Sequence, residues 1–169
     1  MKIATKKIAL CAVLTALALG LSTLENLFPI NFLIPLPGVK LGLANIVTVF
    51  ALYELGALPA LLILIGRCFL GALFAGNFNA LLFSLMGGLL AMLVMIGLKH
   101  LPALSLYGVS IGGAAAHNVG QICAAMINLG NTLVLGYLPL LLAVSLFTGA
   151  LTGFVSSLLF RAMKNVKLT

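Results

Sequence analysis

The sequence predicts an all-α, polytopic membrane protein with six transmembrane helices, and three observations predict it. Hydrophobic residues make up 63% of the 169 residues and only 7% are charged, whereas a soluble domain has roughly a quarter of its residues charged. Mean hydropathy is +1.31. The chain contains no aspartate, and its only carboxylate side chains are Glu25 and Glu54. Such a composition suits lipid, and the polar residues inside the apolar runs become the functional question.

The apolar runs are continuous rather than alternating, so helices are expected and a β-barrel is not. A span takes about 20 residues. The first is read at about Lys6–Leu27, after a basic start at Lys2, Lys6 and Lys7. The second, about Val39–Leu55, is short and follows Pro29, Pro35, Pro37 and Gly38. The third, about Leu58–Gly76, is set off by Gly56 and Pro59. The fourth, about Asn79–Leu98, begins after Asn77. The fifth, about Leu104–Leu129, lies between Pro102 and Gly130–Asn131, and the sixth, about Leu138–Ala162, starts beside Pro139. Glycine, proline and asparagine punctuate helices in this way. No linker interrupts the pattern, so residues 1–169 are read as one integral membrane domain.

Positive charge sets the orientation. With the N-terminus cytoplasmic, Lys2, Lys6, Lys7, Lys99, His100, Arg161, Lys164 and Lys167 all fall inside, and Lys40 falls outside. An even number of spans then returns both termini to the cytoplasmic side of the cell membrane. The net charge of +7 is thus topological, aided by anionic inner-leaflet lipid. The basic residues form no continuous patch interleaved with aromatics, so nucleic-acid binding is not expected. The first span is read as retained, because no convincing cleavage signal precedes Glu25.

Missing motifs narrow the chemistry. There is no GxxxxGK[ST] for ATP, no aspartate pair for magnesium on a diphosphate, no His/Cys cluster for zinc and no Ser-His-Asp set. Cys11, Cys68 and Cys123 lie singly in apolar helices and read as small buried hydrophobes. No catalytic residue, metal site or cofactor is therefore expected.

Polar and small residues inside the spans carry the functional reading. Ala12, Ala16 and Gly20 recur every four residues on one face of the first helix, which lets another helix approach closely, either within the bundle or from a separate subunit. The apolar, proline-stiffened stretch 29–40 suits a lid over the bundle mouth or a segment lying at the interface. Lys40 opens the second helix, where a cation opposes the helix dipole. A bound anion relieves that conflict; snorkelling to headgroups is the alternative. Asn45 and Thr48 follow on one face. Arg67 lies near the middle of the third span and needs either an anionic group on a substrate or a buried partner, for which Glu25 is available. His117, Asn118, Gln121 and Asn128 form a polar face on the fifth span, lining a cavity or bridging helices. Asn77 and Asn79 sit at the turn before the fourth span, where capping is the simpler role. The substrate-binding set is read as Lys40, Asn45, Arg67, Asn79, His117, Asn118 and Gln121, with Phe28, Phe32, Phe74 and Phe78 covering an apolar portion of a ligand.

Six spans in so short a chain, a basic start and the Ala12/Ala16/Gly20 stripe resemble the substrate-binding S components of energy-coupling-factor (ECF) transporters. The stretch Pro37-Gly38-Val39-Lys40-Leu41-Gly42-Leu43-Ala44-Asn45-Ile46-Val47-Thr48 is similar to the signature of the Gx transporter, or heptaprenyl diphosphate synthase component I, family. The resemblance implies an S-component-like bundle whose first-helix stripe docks a coupling (T) subunit that works with two ATPase subunits. The residues suggest a small amphiphilic, anionic substrate; the resemblance implies its uptake and a vitamin-like compound or an isoprenoid or quinone precursor. The alternative is a non-catalytic membrane partner of a prenyl diphosphate or quinone biosynthesis enzyme. The final small residue of the stripe is glycine here, where that family pattern has alanine.

Overall fold

The computed structural model describes residues 2–27 and 42–163. Six α-helices follow in order: α1 (Lys2–Leu27), α2 (Asn45–Glu54), α3 (Ala57–Ala75), α4 (Phe78–Lys99), α5 (Leu106–Leu129) and α6 (Leu138–Met163), with a short 3-10 helix (Thr132–Tyr137) leading into α6. No strand occurs among the described residues. The predicted lid at 29–40, Lys40, Phe28 and Phe32 lie outside the described residues.

Local chemistry explains the ends. Gly76 and Gly130 take left-handed conformations at the ends of α3 and α5, where a glycine avoids the Cβ clash. The Asn77 side chain accepts from Asn79 N and caps α4, and the Ser105 side chain accepts from Gly108 N at the start of α5. Capping is thus the role the structure gives the Asn77–Asn79 pair.

The second helix differs from expectation. It begins at Asn45, after a turn in which Gly42 has φ +83° and Gly42 O accepts from Asn45 N. Val39–Leu55 looked like one helical run because apolar periodicity does not register a positive φ. At 10 residues, α2 spans about 15 Å, about half the hydrocarbon thickness.

Among the described residues, four segments are long and apolar enough to cross a membrane: Thr5–Glu25, Ala57–Ala75, Phe78–Lys99 and Thr132–Met163. The sequence reading expected six. The remaining two helices, α2 and α5, are the most enclosed. Every side chain from Asn45 to Leu52 is buried, and α2 packs against α1, α3, α4 and α6. α5 lies between α4 and α6 and buries His117, Asn118 and Gln121. A helix sheathed by other helices needs neither the length nor the apolar surface that lipid demands.

Tight backbone approaches hold α5 in place. A Cβ at Gly120 would lie 2.4 Å from Met86 O and 2.8 Å from Gly87 Cα, and one at Gly149 would lie 2.5 Å from Ile111 Cα. Small residues let membrane helices gain dispersion contacts in this way. At the far end of α2, Lys99 Nζ donates to Leu52 O at 2.8 Å and sits 4.7 Å from the Tyr53 ring centroid. A cation there satisfies a carbonyl that the helix leaves unpaired and opposes its negative end. Phe160 of α6 packs at a tilt against Phe50, ring centroids 5.2 Å apart, and meets Tyr53 edge-on, fixing the same end from the other side.

Gly120→Ala should lower stability by about 1–3 kcal/mol through overpacking. Gly97→Ala, where the new methyl group meets nothing within 4 Å, should not destabilise. Thermal unfolding of the two variants in one detergent measures the contrast.

Candidate functional site

Arg67 occupies the junction of four helices. Its side chain is 5% exposed. Nη2 donates to Asn45 Oδ1 at 3.3 Å, joining the middle of α3 to the first residue of α2. Its Nε has no hydrogen-bond partner among the described residues. Arginine at membrane depth costs at least about 2.5–3.5 kcal/mol, and one amide oxygen compensates only part of that.

The start of α2 is built around this point. Glu25, buried near the end of α1, accepts a hydrogen bond from Gly42 N. A Cβ at Gly42 would lie 2.9 Å from Asn45 Nδ2 and 3.6 Å from His117 Cδ2. On the other side of the imidazole, a Cβ at Gly87 would lie 2.9 Å from both Cε1 and Nδ1. His117 therefore sits between the Gly42 turn and α4; Gly87 makes the room on the α4 side, whereas a side chain at Gly42 would press on Asn45. Gln121, one turn further along α5, is completely buried.

Asn45, Arg67, His117 and Gln121 thus lie buried in the interior, with Asn45 linking the Arg67 and His117 environments. Asn118 is buried but turned to α6, where its Nδ2 donates to Leu141 O at 2.7 Å. Asn79 is exposed beside the α3–α4 turn. Asn128, expected to continue the polar face, is also exposed, because α5 leaves the bundle over its last turn. Glu54 is exposed at the end of α2.

A cavity of about 140 Å³ opens from Arg67 between α1, α3 and α4. Ser22 and Thr23 of α1, Gly71 and Phe74 of α3, and Ala80 and Ser84 of α4 are among its lining residues. It runs from Arg67 toward Ala75, about 12 Å along α3 at about 1.5 Å per residue, to the end that bears the α3–α4 turn. No carboxylate lines it among the described residues.

Ser22, Thr23 and Ser84 escaped the sequence reading, although a signal for Ser22 was present. Leu14, Ala18, Ser22 and Glu25 are spaced along one face of α1, and all four are buried. That face, and not the Ala12/Ala16/Gly20 stripe, packs into the bundle. Ala12, Ala16 and Gly20 are all exposed, and nothing lies within 4 Å of a Cβ added at Gly20. Packing within the bundle therefore does not account for the stripe.

This architecture defines a class: a polytopic helical membrane protein with polar side chains gathered in its interior. The family model for heptaprenyl diphosphate synthase component I matches residues 14–159, and the chain belongs to that family. No curated protein and no solved structure gives a significant match. The family is the one that the stretch from Pro37 to Thr48 suggested.

Asn118→Ala should cost about 0.6 kcal/mol and at most about 1.7 kcal/mol, the mean and maximum measured for hydrogen bonds between membrane helices, and should loosen α5 from α6. Unfolding in detergent, together with hydrogen exchange at Leu141–Ser145, reads both effects.

Proposed function

We propose that this chain is the substrate-binding membrane subunit (S component) of an ECF-type uptake transporter, taking a small amphiphilic, anionic molecule. The observation that carries the reading is Arg67, a buried guanidinium at the base of a cavity that leads to one end of the bundle. A purely structural arginine would have its donors absorbed by neighbouring groups; this one keeps Nε turned to no acceptor among the described residues. Asn45, His117 and Gln121 lie deeper in the interior, outside the cavity lining, and in this reading Asn45 positions Arg67 for the ligand. By the positive-inside argument the cavity end is the outer one, with both termini in the cytoplasm. Lys40, the 29–40 lid and Asn79 belong to the same reading as further ligand-binding groups.

The exposed Ala12/Ala16/Gly20 stripe supports the second half of the proposal. Small residues facing away from their own bundle offer a close-approach surface to a helix of another subunit. In this reading that helix belongs to the coupling subunit, and two separate ATPase subunits supply the energy, since this sequence has no phosphate-binding loop of its own. The chain itself is not an enzyme: without aspartate it lacks the residues that would hold magnesium on a diphosphate.

The family description favours a second reading. A chain matched as component I of a heptaprenyl diphosphate synthase would act as a non-catalytic membrane partner of component II, with the ligand an isoprenoid or quinone precursor.

Ala16→Trp separates the two. The indole would stand on the exposed stripe without disturbing the fold, so the transporter reading expects the variant to accumulate normally and to lose co-purifying coupling and ATPase subunits. Retention of those subunits at the wild-type level would contradict docking through this face.

A further inference from the structure

We infer that the cavity between α1, α3 and α4 is an oxyanion subsite, in which Arg67 and the hydroxyls of Ser22 and Ser84 receive the carboxylate or phosphate head of an amphiphile. The inference rests on the proposed binding role and deepens it by fixing where the charged end goes and how large that end can be.

Four features argue for it. The first is the donor set. Arg67 lines the cavity and is 5% exposed; its Nε is buried beneath that surface with no hydrogen-bond partner among the described residues, so the terminal guanidinium nitrogens are the donors the cavity can offer. Ser22 and Ser84 are each 9% exposed and line the same space, and neither hydroxyl has a hydrogen-bond partner among the described residues. Thr23 Oγ1 donates to Leu19 O, so it offers the cavity no proton. Two hydroxyl donors and a guanidinium edge, with no carboxylate among the described lining residues, select an acceptor-only, negatively charged group.

The second is local charge. The cavity base adjoins the N-terminus of α2 through Asn45, and a helix N-terminus carries partial positive charge. Guanidinium and helix end act in the same direction at one point. Glu25 offsets that charge from the Gly42 turn but does not line the cavity.

The third is size. A volume of about 140 Å³ falls well short of the roughly 300–1,000 Å³ of pockets that enclose a whole drug-sized ligand. It suits a compact head group, and the rest of the molecule has to leave the cavity. The fourth is the exit. α1 and α4 both pack on α3 but hardly on each other, and Phe74, which is 77% exposed, stands at the rim. An apolar tail leaving between α1 and α4 passes from a charged base to an aromatic rim and then to lipid. The ligand class is thus a single-headed organic phosphate or carboxylate with an apolar chain.

The test uses the full chain in phosphatidylcholine nanodiscs, titrated with n-octyl phosphate and, separately, with n-octanol. Wild type should bind the phosphate and not the alcohol. Arg67→Gln should weaken octyl phosphate binding roughly tenfold or more, as expected when a charge-assisted partner is lost, and Arg67→Lys should recover part of that loss. Ser84→Ala, a mild change that keeps the fold, should weaken it severalfold. Octyl phosphate affinity unchanged in both Arg67→Gln and Ser84→Ala would overturn the inference, as would equal binding of the alcohol by wild type. Two arms identify the natural source of the head group. Competition by inorganic phosphate supports a soluble phosphate compound at the subsite, whereas competition by phosphatidic acid included in the nanodiscs supports a lipid head group there. Wild type that binds neither octyl phosphate nor inorganic phosphate, yet co-purifies with ATPase subunits, would overturn the subsite alone. Binding with no such subunits would leave the subsite standing and remove the transporter reading.

Discussion

Arg67 donates to Asn45 across the junction of α2 and α3, and much of the interior is arranged around that contact. Lipid offers no partner to a guanidinium or to the first N–H groups of a helix, yet this protein has both at the same point. It manages them with protein groups. Asn45 takes one donor of Arg67, Glu25 takes Gly42 N, and the Gly42 turn supplies an acceptor for Asn45 N. Arg67 also lines the cavity, while its Nε stays buried with no acceptor among the described residues.

Enclosing a short helix has consequences for the others. Because α2 cannot span on its own, α1, α3, α4 and α6 surround it, and its far end is held by Lys99 and the aromatic pairings of Phe160. α5 then closes against α4 and α6 by backbone contact at Gly120 and Gly149. The same closeness creates the slot for His117, whose ring needs Gly87 to lack a side chain. Polar interior, small residues and short second helix are parts of one solution. Polar groups are tolerated at membrane depth because most of them are buried among helices rather than turned to lipid.

Much of this was legible in the sequence, for physical reasons. Apolar runs separated by glycine, proline and asparagine marked the helices, since lipid permits little else. Arg67, Asn45, His117 and Gln121 stood out because polar atoms in such runs must be buried inside. What failed to show was anything set by contact between distant segments. The turn at Gly42 depends on a backbone angle that apolar periodicity does not encode. The Glu25 contact with Gly42 joins residues far apart in sequence, through a main-chain donor that every residue but proline possesses. Asn118 and Gln121 share a helix face in projection, but only packing shows that Asn118 serves α6. The Ala12/Ala16/Gly20 spacing was visible, whereas the direction it faces was decided by the competing stripe from Leu14 to Glu25, which carries the larger and more polar side chains inward.

Family membership and interior chemistry bear on different levels of function. The family match concerns lineage and carries a biosynthetic description. The buried arginine, the cavity and the outward-facing small stripe support binding and docking, which a transporter subunit and a synthase partner use differently. Native mass spectrometry of the protein released from its own membranes under mild conditions tests the central claim most directly. The account predicts a retained anionic amphiphile of small mass, together with a coupling subunit and two ATPases. A prenyl diphosphate synthase subunit in their place, with no small molecule bound, would contradict it.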